Sequence, residues 1–276
     1  MRKTIEYIFR NLFPKKIKNY KFFMKSVKGL NGLEVGGPSY AFSSKGFLPI
    51  YNVIKNLDGC NFSTSTVWEG NISAGQNYKY GKKKGNQIIA DGGDLKEIID
   101  CKYDFILSCH SLEHMANPIK ALLEWKRIIK NNSYILLILP HKDKTFDHNR
   151  PVTSLEHLIV DFENETGERD KTHFDDVISF HDLSMDSGIE NIDQLTTRTF
   201  ENFTNRCVHH HIFNTLLVVK MVNFSGFKIC DIQHFNPFHI IILLQKTSIE
   251  FDNSKFLMPE NNVYNKPQFP SDKIMQ

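Results

Sequence analysis

Apolar and polar positions in this chain switch between continuous apolar runs and a 3.6-residue spacing, the signatures of buried strands and amphipathic helices. Leu30–Val35 predicts a first core strand, and residues 50–58 a second, weakened by Lys55 and Asn56. Residues 68–86 are rich in Gly, Lys, Tyr and Asn and read as a loop. Gln87–Ala90 predicts a short third strand, and residues 95–100 a short helix. Phe105, Ile106 and Leu107 then run into the polar cluster His110-Ser111-Leu112-Glu113-His114. A helix follows, capped by Asn117, opened by Pro118 and stopped at Asn131-Asn132. The next run, Tyr134–Leu139, is continuously apolar, as in a strand buried on both faces of a parallel sheet.

The pattern loosens over residues 141–206, where His, Asp, Glu, Asn and Thr dominate and Leu155–Phe162, with Ser154 as cap, predicts one helix. This segment reads as an insertion that covers a site and selects substrate. Phe213–Phe224 predicts a helix ended by Ser225-Gly226, followed by strands at 227–232 and 239–245 joined through Asn236-Pro237. Residues 247–276 carry little hydrophobic pattern and read as a surface-laid or partly disordered tail. Strands alternating with helices predict an α/β fold with a mostly parallel sheet. In such sheets ligands bind beyond the carboxyl ends of strands, so the 110–114 cluster is placed for chemistry.

Composition narrows the class. The chain has 276 residues, 41% hydrophobic and 24% charged, which is ordinary for a globular protein. A formal charge of +3 is too small to point to nucleic acid. Five cysteines without a CxxC spacing predict free thiols in a reducing compartment. Neither a spanning apolar run nor a secretory pattern is visible, so a cytoplasmic protein is expected. Residues 1–28 hold nine Lys or Arg and one acid, with Ile5, Ile8, Phe9, Leu12 and Phe13 on one helical face. That basic amphipathic helix suits packing over the sheet edge, or peripheral contact with the inner face of a membrane.

Four segments in order carry a resemblance: LEVGGPS at 33–39, ADGGDL at 90–95, YDFILSCHSLEH from 103 with LILP at 137–140, and DHNRPVTSLEHLIVDF at 147–162. Over roughly residues 30–245 the chain resembles class I S-adenosylmethionine (SAM)-dependent methyltransferases, and more narrowly small methyltransferases of bacterial polysaccharide and other glycan biosynthesis. The resemblance implies a Rossmann-like seven-stranded sheet, mostly parallel with the last strand antiparallel, flanked by helices. The methyltransferase domain would span 29–246 with the insertion at 141–206. SAM is the implied cofactor. Glu34 would position its methionine portion, and Gly36, Gly37 and Pro38 would let the backbone approach it. Two residue-level expectations accompany this. Asp58, about 20 residues past the glycines, suits the ribose hydroxyls, with Asn61 as runner-up if the strand runs longer. Asp91 and Gly92 would meet the adenine, with Asp94 as a substitute, and His110 and Ser111 would line the pocket beside the sulfonium.

The implied reaction is O-methylation of a sugar hydroxyl in a surface glycan or its precursor, the acceptor being a glycan or a nucleotide- or lipid-linked sugar. A lipid, protein or small-metabolite acceptor, and a non-catalytic SAM-fold partner protein, are alternatives. An NAD-dependent sugar enzyme is disfavoured, because the G-x-G-x-x-G fingerprint is absent. A sugar hydroxyl has a high pKa, so a general base is expected. The candidates are His114, His110, Glu113, Asp147 and His148, with His141 and His157 behind them. Arg150 and His157 are expected on the substrate side, Arg150 as a bidentate phosphate or carboxylate clamp or, equally, as the partner of an acid that holds the insertion together. His209-His210-His211, read as helical, would point in three directions, so no metal is expected, the alternative being a site that uses one of them with Asp147 or His148.

Overall fold

The computed structural model describes residues 15–273. The apolar positions Ile5 to Phe13 of the expected basic helix lie outside the described residues. The described part of that segment holds helix α1 (Tyr20–Val27), which buries Phe23 and Val27.

The strands are β1 (Asn31–Val35), β2 (Asn56–Asn61), the short pair β3 (Ser65–Thr66) and β4 (Gly70–Asn71), β5 (Gly75–Tyr80), β6 (Lys83–Ile89), β7 (Tyr103–Cys109), β8 (Ile129–Pro140), β9 (Lys228–Phe235) and β10 (His239–Gln245). Eight of them form one sheet in the order β5-β6-β2-β1-β7-β8-β10-β9. The central pairs β6/β2, β2/β1, β1/β7 and β7/β8 are parallel. The pairs β5/β6, β8/β10 and β10/β9 are antiparallel. The helices are α2 (Pro118–Ile128), α3 (Leu155–Glu163), α4 (Phe174–Phe180), α5 (Ile192–Phe200), α6 (Asn202–Asn205), α7 (Thr215–Phe224) and α8 (Asn262–Asn265).

Strand alternation divides the core. Leu33, Val35, Ile135, Leu137 and Leu139 face the layer of α2 and α7, against Trp125, Leu122, Val218 and Val222. Leu136, Ile138, Ile241 and Leu243 face the other side, with Phe23, Phe42, Leu48 and Tyr51. Helix α2 starts as its sequence dictates: the Asn117 side chain accepts the Lys120 N–H at 3.0 Å and Pro118 occupies the first turn. The Ser154 cap of α3 likewise accepts the His157 N–H at 3.1 Å.

The sheet has eight strands where seven are expected. The extra one is β5, inside the segment read as a loop. Its apolar content rests on two alternating side chains, Tyr78 and Tyr80, both buried, between exposed Asn77 and Lys79. Gly81, at φ 63°, closes the hairpin. The second strand begins at Asn56, since Ile50–Asn52 form a single 3-10 turn. Residues 95–100 make turns in place of a helix. Helix α2 ends at Ile128, and Asn131 and Asn132 lie in β8, where Asn132 takes its left-handed conformation at φ 61°. The tail is docked, with Phe256, Tyr264, Phe269 and Asp272 buried. Phe269 stacks on His141 at 4.0 Å between ring centroids. Among the described residues no helix is long and apolar enough to cross a membrane.

Candidate active site

A cavity of about 740 Å³ opens at the carboxyl ends of β1, β2, β6 and β7. Its sheet side is lined by Gly36, Pro38, Asn61, Asp91, Gly92, His110, Ser111, Glu113 and His114. The insertion closes the far side with Phe146, Met185, Arg198 and Arg206, His209 follows just after it, and Trp68 stands at the mouth, 54% exposed.

Glu34 does not reach this cavity. Leu33 and Val35 face the α2 layer, so Glu34 faces the opposite one, where it is fully buried. Tyr51 and Tyr78 donate their hydroxyls to its Oε2 at 2.7 and 2.8 Å, and the Ser39 N–H donates to Oε1 at 3.0 Å. Burial raises its pKa against those three donors. Glu34 therefore anchors the turn that follows β1. In that turn Gly36 sits at φ 77°, and a Cβ on it would lie 2.5 Å from the Ser111 hydroxyl. A Cβ on Gly37 would meet the Glu34 carboxyl carbon at 2.3 Å. Both glycines serve close packing at the strand end.

Asp58 is a correction. Because β2 starts six residues after the 3-10 turn opens, Asp58 falls inside the strand and away from the cavity. It accepts the Asn86 N–H at 3.1 Å and the Tyr103 hydroxyl at 3.0 Å. The strand end belongs to Asn61, which lines the cavity and donates to the Gly37 carbonyl at 3.1 Å. Asp91 and Gly92 do line it. Asp91 accepts the Gly93 N–H at 2.8 Å and Arg206 at 3.1 Å, and the Gly92 carbonyl accepts the Trp125 indole N–H at 2.8 Å.

The cluster after β7 is tightly held. His110 adopts φ 53°, an uncommon conformation for a non-glycine residue at the base of a pocket. Its Nε2 shares a hydrogen bond of 2.8 Å with His239 Nδ1. Burial, helped by His239 and His209, lowers its pKa to about 3, so its imidazole is neutral at pH 7. Burial also holds His114 well below its ordinary value. Its Nδ1 lies 3.2 Å from the Val208 carbonyl, and its ring faces that of Trp68 at 5.2 Å. Both carboxyl oxygens of Glu113 are buried without a hydrogen-bond partner, and burial raises its pKa to about 7.

Against them, with its ring 4.6 Å from that of His114, stands His209, whose Nδ1 lies 2.5 Å from Asp147 Oδ2. Arg150 donates to Asp147 Oδ1 at 3.1 Å and to the His209 carbonyl at 2.8 Å. Burial opposes the Asp147 charge, but His209 and Arg150 outweigh it and hold its carboxyl down to about 2. Burial likewise opposes a charged His209, and Asp147 outweighs it, so the His209 pKa lies above its ordinary value. Asp147 thus reaches the cavity through His209.

Four more candidates lie outside the large cavity. Arg150 is 2% exposed and does not line the cavity; of its two expected roles it takes the second, the partner of Asp147 that pins the insertion. His148 also stands outside, with Nδ1 3.2 Å from the Thr145 carbonyl and Nε2 3.7 Å from Asp182. His157 lies on α3, beside a separate cavity of about 250 Å³. His141 is fully buried against Phe269, with Nε2 3.1 Å from Asp272. The histidine run is extended and bent, not helical, so neighbouring rings part: His209 enters the cavity, His210 lies 3.0 Å from the Asn202 amide, and His211 turns toward α3. Asn61 takes the place expected of it as runner-up to Asp58, whereas His209, Trp68, Tyr51 and Tyr78 are the residues that sequence reasoning left without these places. An extended reading of 207–211 is the signal that separates His209 from its neighbours.

Residues 53–137 match the family described as a methyltransferase domain. No curated protein matches the chain. Among solved structures, a SAM-dependent methyltransferase from Aquifex aeolicus is 13% identical, with a TM-score of 0.42, over 87% of this chain and 93% of that one. One from Mesorhizobium loti is 12% identical, with a TM-score of 0.45, over 82% and 95%. One from Methanosarcina mazei is 15% identical, with a TM-score of 0.45, over 84% and 99%. The family match spans β2 to β8 and includes the Asp91-Gly92 turn and the 110–114 cluster that line the cavity. Residues 53–137 are thus similar to a methyltransferase domain over the part of the sheet that forms one wall of the cavity.

Proposed function

We propose that this protein transfers the methyl group of SAM to a sugar hydroxyl of a surface glycan or its precursor, with His209 as general base. The observation that carries the reading is the Asp147–His209 pair in the cavity wall, with the His209 ring 4.6 Å from that of His114. Asp147 at Nδ1 fixes the tautomer and leaves Nε2 as the nitrogen that accepts a proton. Removing a proton from an alcohol needs such a positioned base, because the hydroxyl itself is a weak nucleophile.

The residues present fit the cofactor. A cavity of about 740 Å³ is within the range of small-molecule sites. Gly36, Asn61, Asp91, Gly92, His110 and Ser111 form its wall at the strand ends, where α/β sheets hold ligands. Bound SAM supplies an electrophilic methyl group on a cationic sulfur. The neutral imidazoles of His110 and His114 add no opposing charge there, and Glu113 offers unpartnered carboxyl oxygens to a polar or cationic group. On the acceptor side, Trp68 and Phe146 present apolar rings, and Arg198 suits an anionic linkage such as a phosphate.

The test is methyl transfer from isotope-labelled SAM to nucleotide- and lipid-linked sugar fractions, with His209→Asn as the control. Label in a sugar methyl ether, lost in His209→Asn, is the expected result. Label confined to protein or lipid tails would reject the acceptor class.

A further inference from the structure

We propose that His157, Asp161, His173 and His211 form a structural zinc site between the insertion and the body of the domain. The four residues come from three separate segments: helix α3, the residue preceding α4, and the extended stretch after α6. One ligand atom from each lies within 4.8 Å of every other. His157 and Asp161 are four apart on α3, so they project from one face of the helix.

The spacing is that of a coordination shell. Zinc holds nitrogen and oxygen at about 2.0–2.1 Å, so the edges of a tetrahedral shell are about 3.3 Å. Here His157 Nε2 lies 3.0 Å from His173 Nε2 and 3.2 Å from Asp161 Oδ2, and His211 Nε2 lies 3.6 Å from Asp161 Oδ2. Asp161 Oδ2 is buried and has no hydrogen-bond partner, an arrangement that a cation satisfies. His211 Nε2 also lies 3.0 Å from the Ala116 carbonyl, a contact it exchanges for the metal. Three imidazoles and a carboxylate suit zinc among the common divalent ions, and four protein ligands close the shell, which is the structural and not the catalytic form. The cluster is separate from the large cavity, which none of the four residues lines. Its place explains its use: His211 follows His209 by two residues, so an ion there pins the extended segment to α3.

The experiment uses untagged full-length protein, with metal content measured by plasma mass spectrometry before and after chelator dialysis. The stripped protein is then titrated with zinc alone, and its thermal unfolding followed. One zinc per chain and a rise in melting temperature on zinc addition are expected. His173→Ala should lower zinc affinity more than about 100-fold, beyond the usual cost of losing an outer-shell partner. It should also abolish the thermal shift. Asp161→Asn, nearly isosteric, provides the same comparison should His173→Ala not fold. Cobalt substitution should give the visible bands of a four-coordinate ion in the wild type only. Absence of stoichiometric zinc binding in the stripped wild type would overturn the proposal. So would wild-type affinity in both variants, or an ion lost in His114→Ala and kept in His173→Ala, which would place it at Glu113, His114 and His209.

Discussion

Asp147 Oδ2 and His209 Nδ1 stand 2.5 Å apart across 62 residues of chain, and Arg150 binds both the carboxylate and the His209 backbone. This contact brings together the segment after β8 and the segment after α6. It gives the cavity a histidine with one nitrogen committed and one free.

The first prediction concerns this pair. His209→Asn should lower kcat by about 10²–10⁴-fold, the usual contribution of a positioned base. Asp147→Asn should lower it too, by loosening the His209 tautomer. Neither change should alter S-adenosylhomocysteine affinity more than about twofold, because neither residue belongs to the strand-end turns proposed to hold the cofactor. Steady-state kinetics and calorimetry on the same preparations separate the two effects. A parallel loss of cofactor binding would make the pair a structural clasp.

Glu113 sets a pH dependence of stability. Burial raises its pKa from 4.5 to about 7. A raised folded-state value means that its contribution is fully present below about pH 4.5 and is lost as pH rises through about 7. The change is on the order of 3 kcal/mol. Glu113→Gln should remove this slope and make the protein more stable than wild type near pH 8. Urea midpoints of the two proteins near pH 5 and pH 8 check it. Parallel profiles would mean that Glu113 is ionised and satisfied when folded.

The buried carboxylate beneath the glycine turn gives a third test. Tyr78→Phe removes one of the three donors to Glu34 and should cost about 1–3 kcal/mol. Gly37→Ala should cost at least as much, since its Cβ would lie 2.4 Å from the Tyr78 hydroxyl. Thermal unfolding of both variants measures this. Wild-type stability in either would show that the turn has room the geometry denies it.

Only two tryptophans report on the molecule, Trp68 at the cavity mouth and Trp125 in the core. Binding of S-adenosylhomocysteine should change the emission of Trp68, and Trp68→Phe should abolish most of that change. An undiminished change in Trp68→Phe would assign the signal to Trp125, behind the Gly92 turn.

The parts legible in the sequence were those written locally. Asn117 and Pro118 open α2 because cap and first-turn residues act within a few positions. Leu136 to Leu139 read as a buried strand because both faces of β8 are covered. Strand β5 is not legible because its buried side consists of two tyrosines among lysines, asparagines and glycines. Asp58 was misplaced because the 3-10 turn at Ile50–Asn52 delays β2, and one strand position decides whether a side chain meets the cavity. The docked tail escaped because Phe256, Tyr264 and Phe269 are spaced without a period. His209 escaped for another reason: its partner is far along the chain, and only the extended backbone at 207–211 separates its direction from that of His211.

The central claim is that the cavity at the strand ends binds SAM. Calorimetric titration of the purified protein with S-adenosylhomocysteine, against NAD as control, tests it most directly. The account predicts a single site of micromolar affinity for the former and no heat with the latter. Absence of binding to S-adenosylhomocysteine by folded protein, or equal binding of NAD, would contradict it.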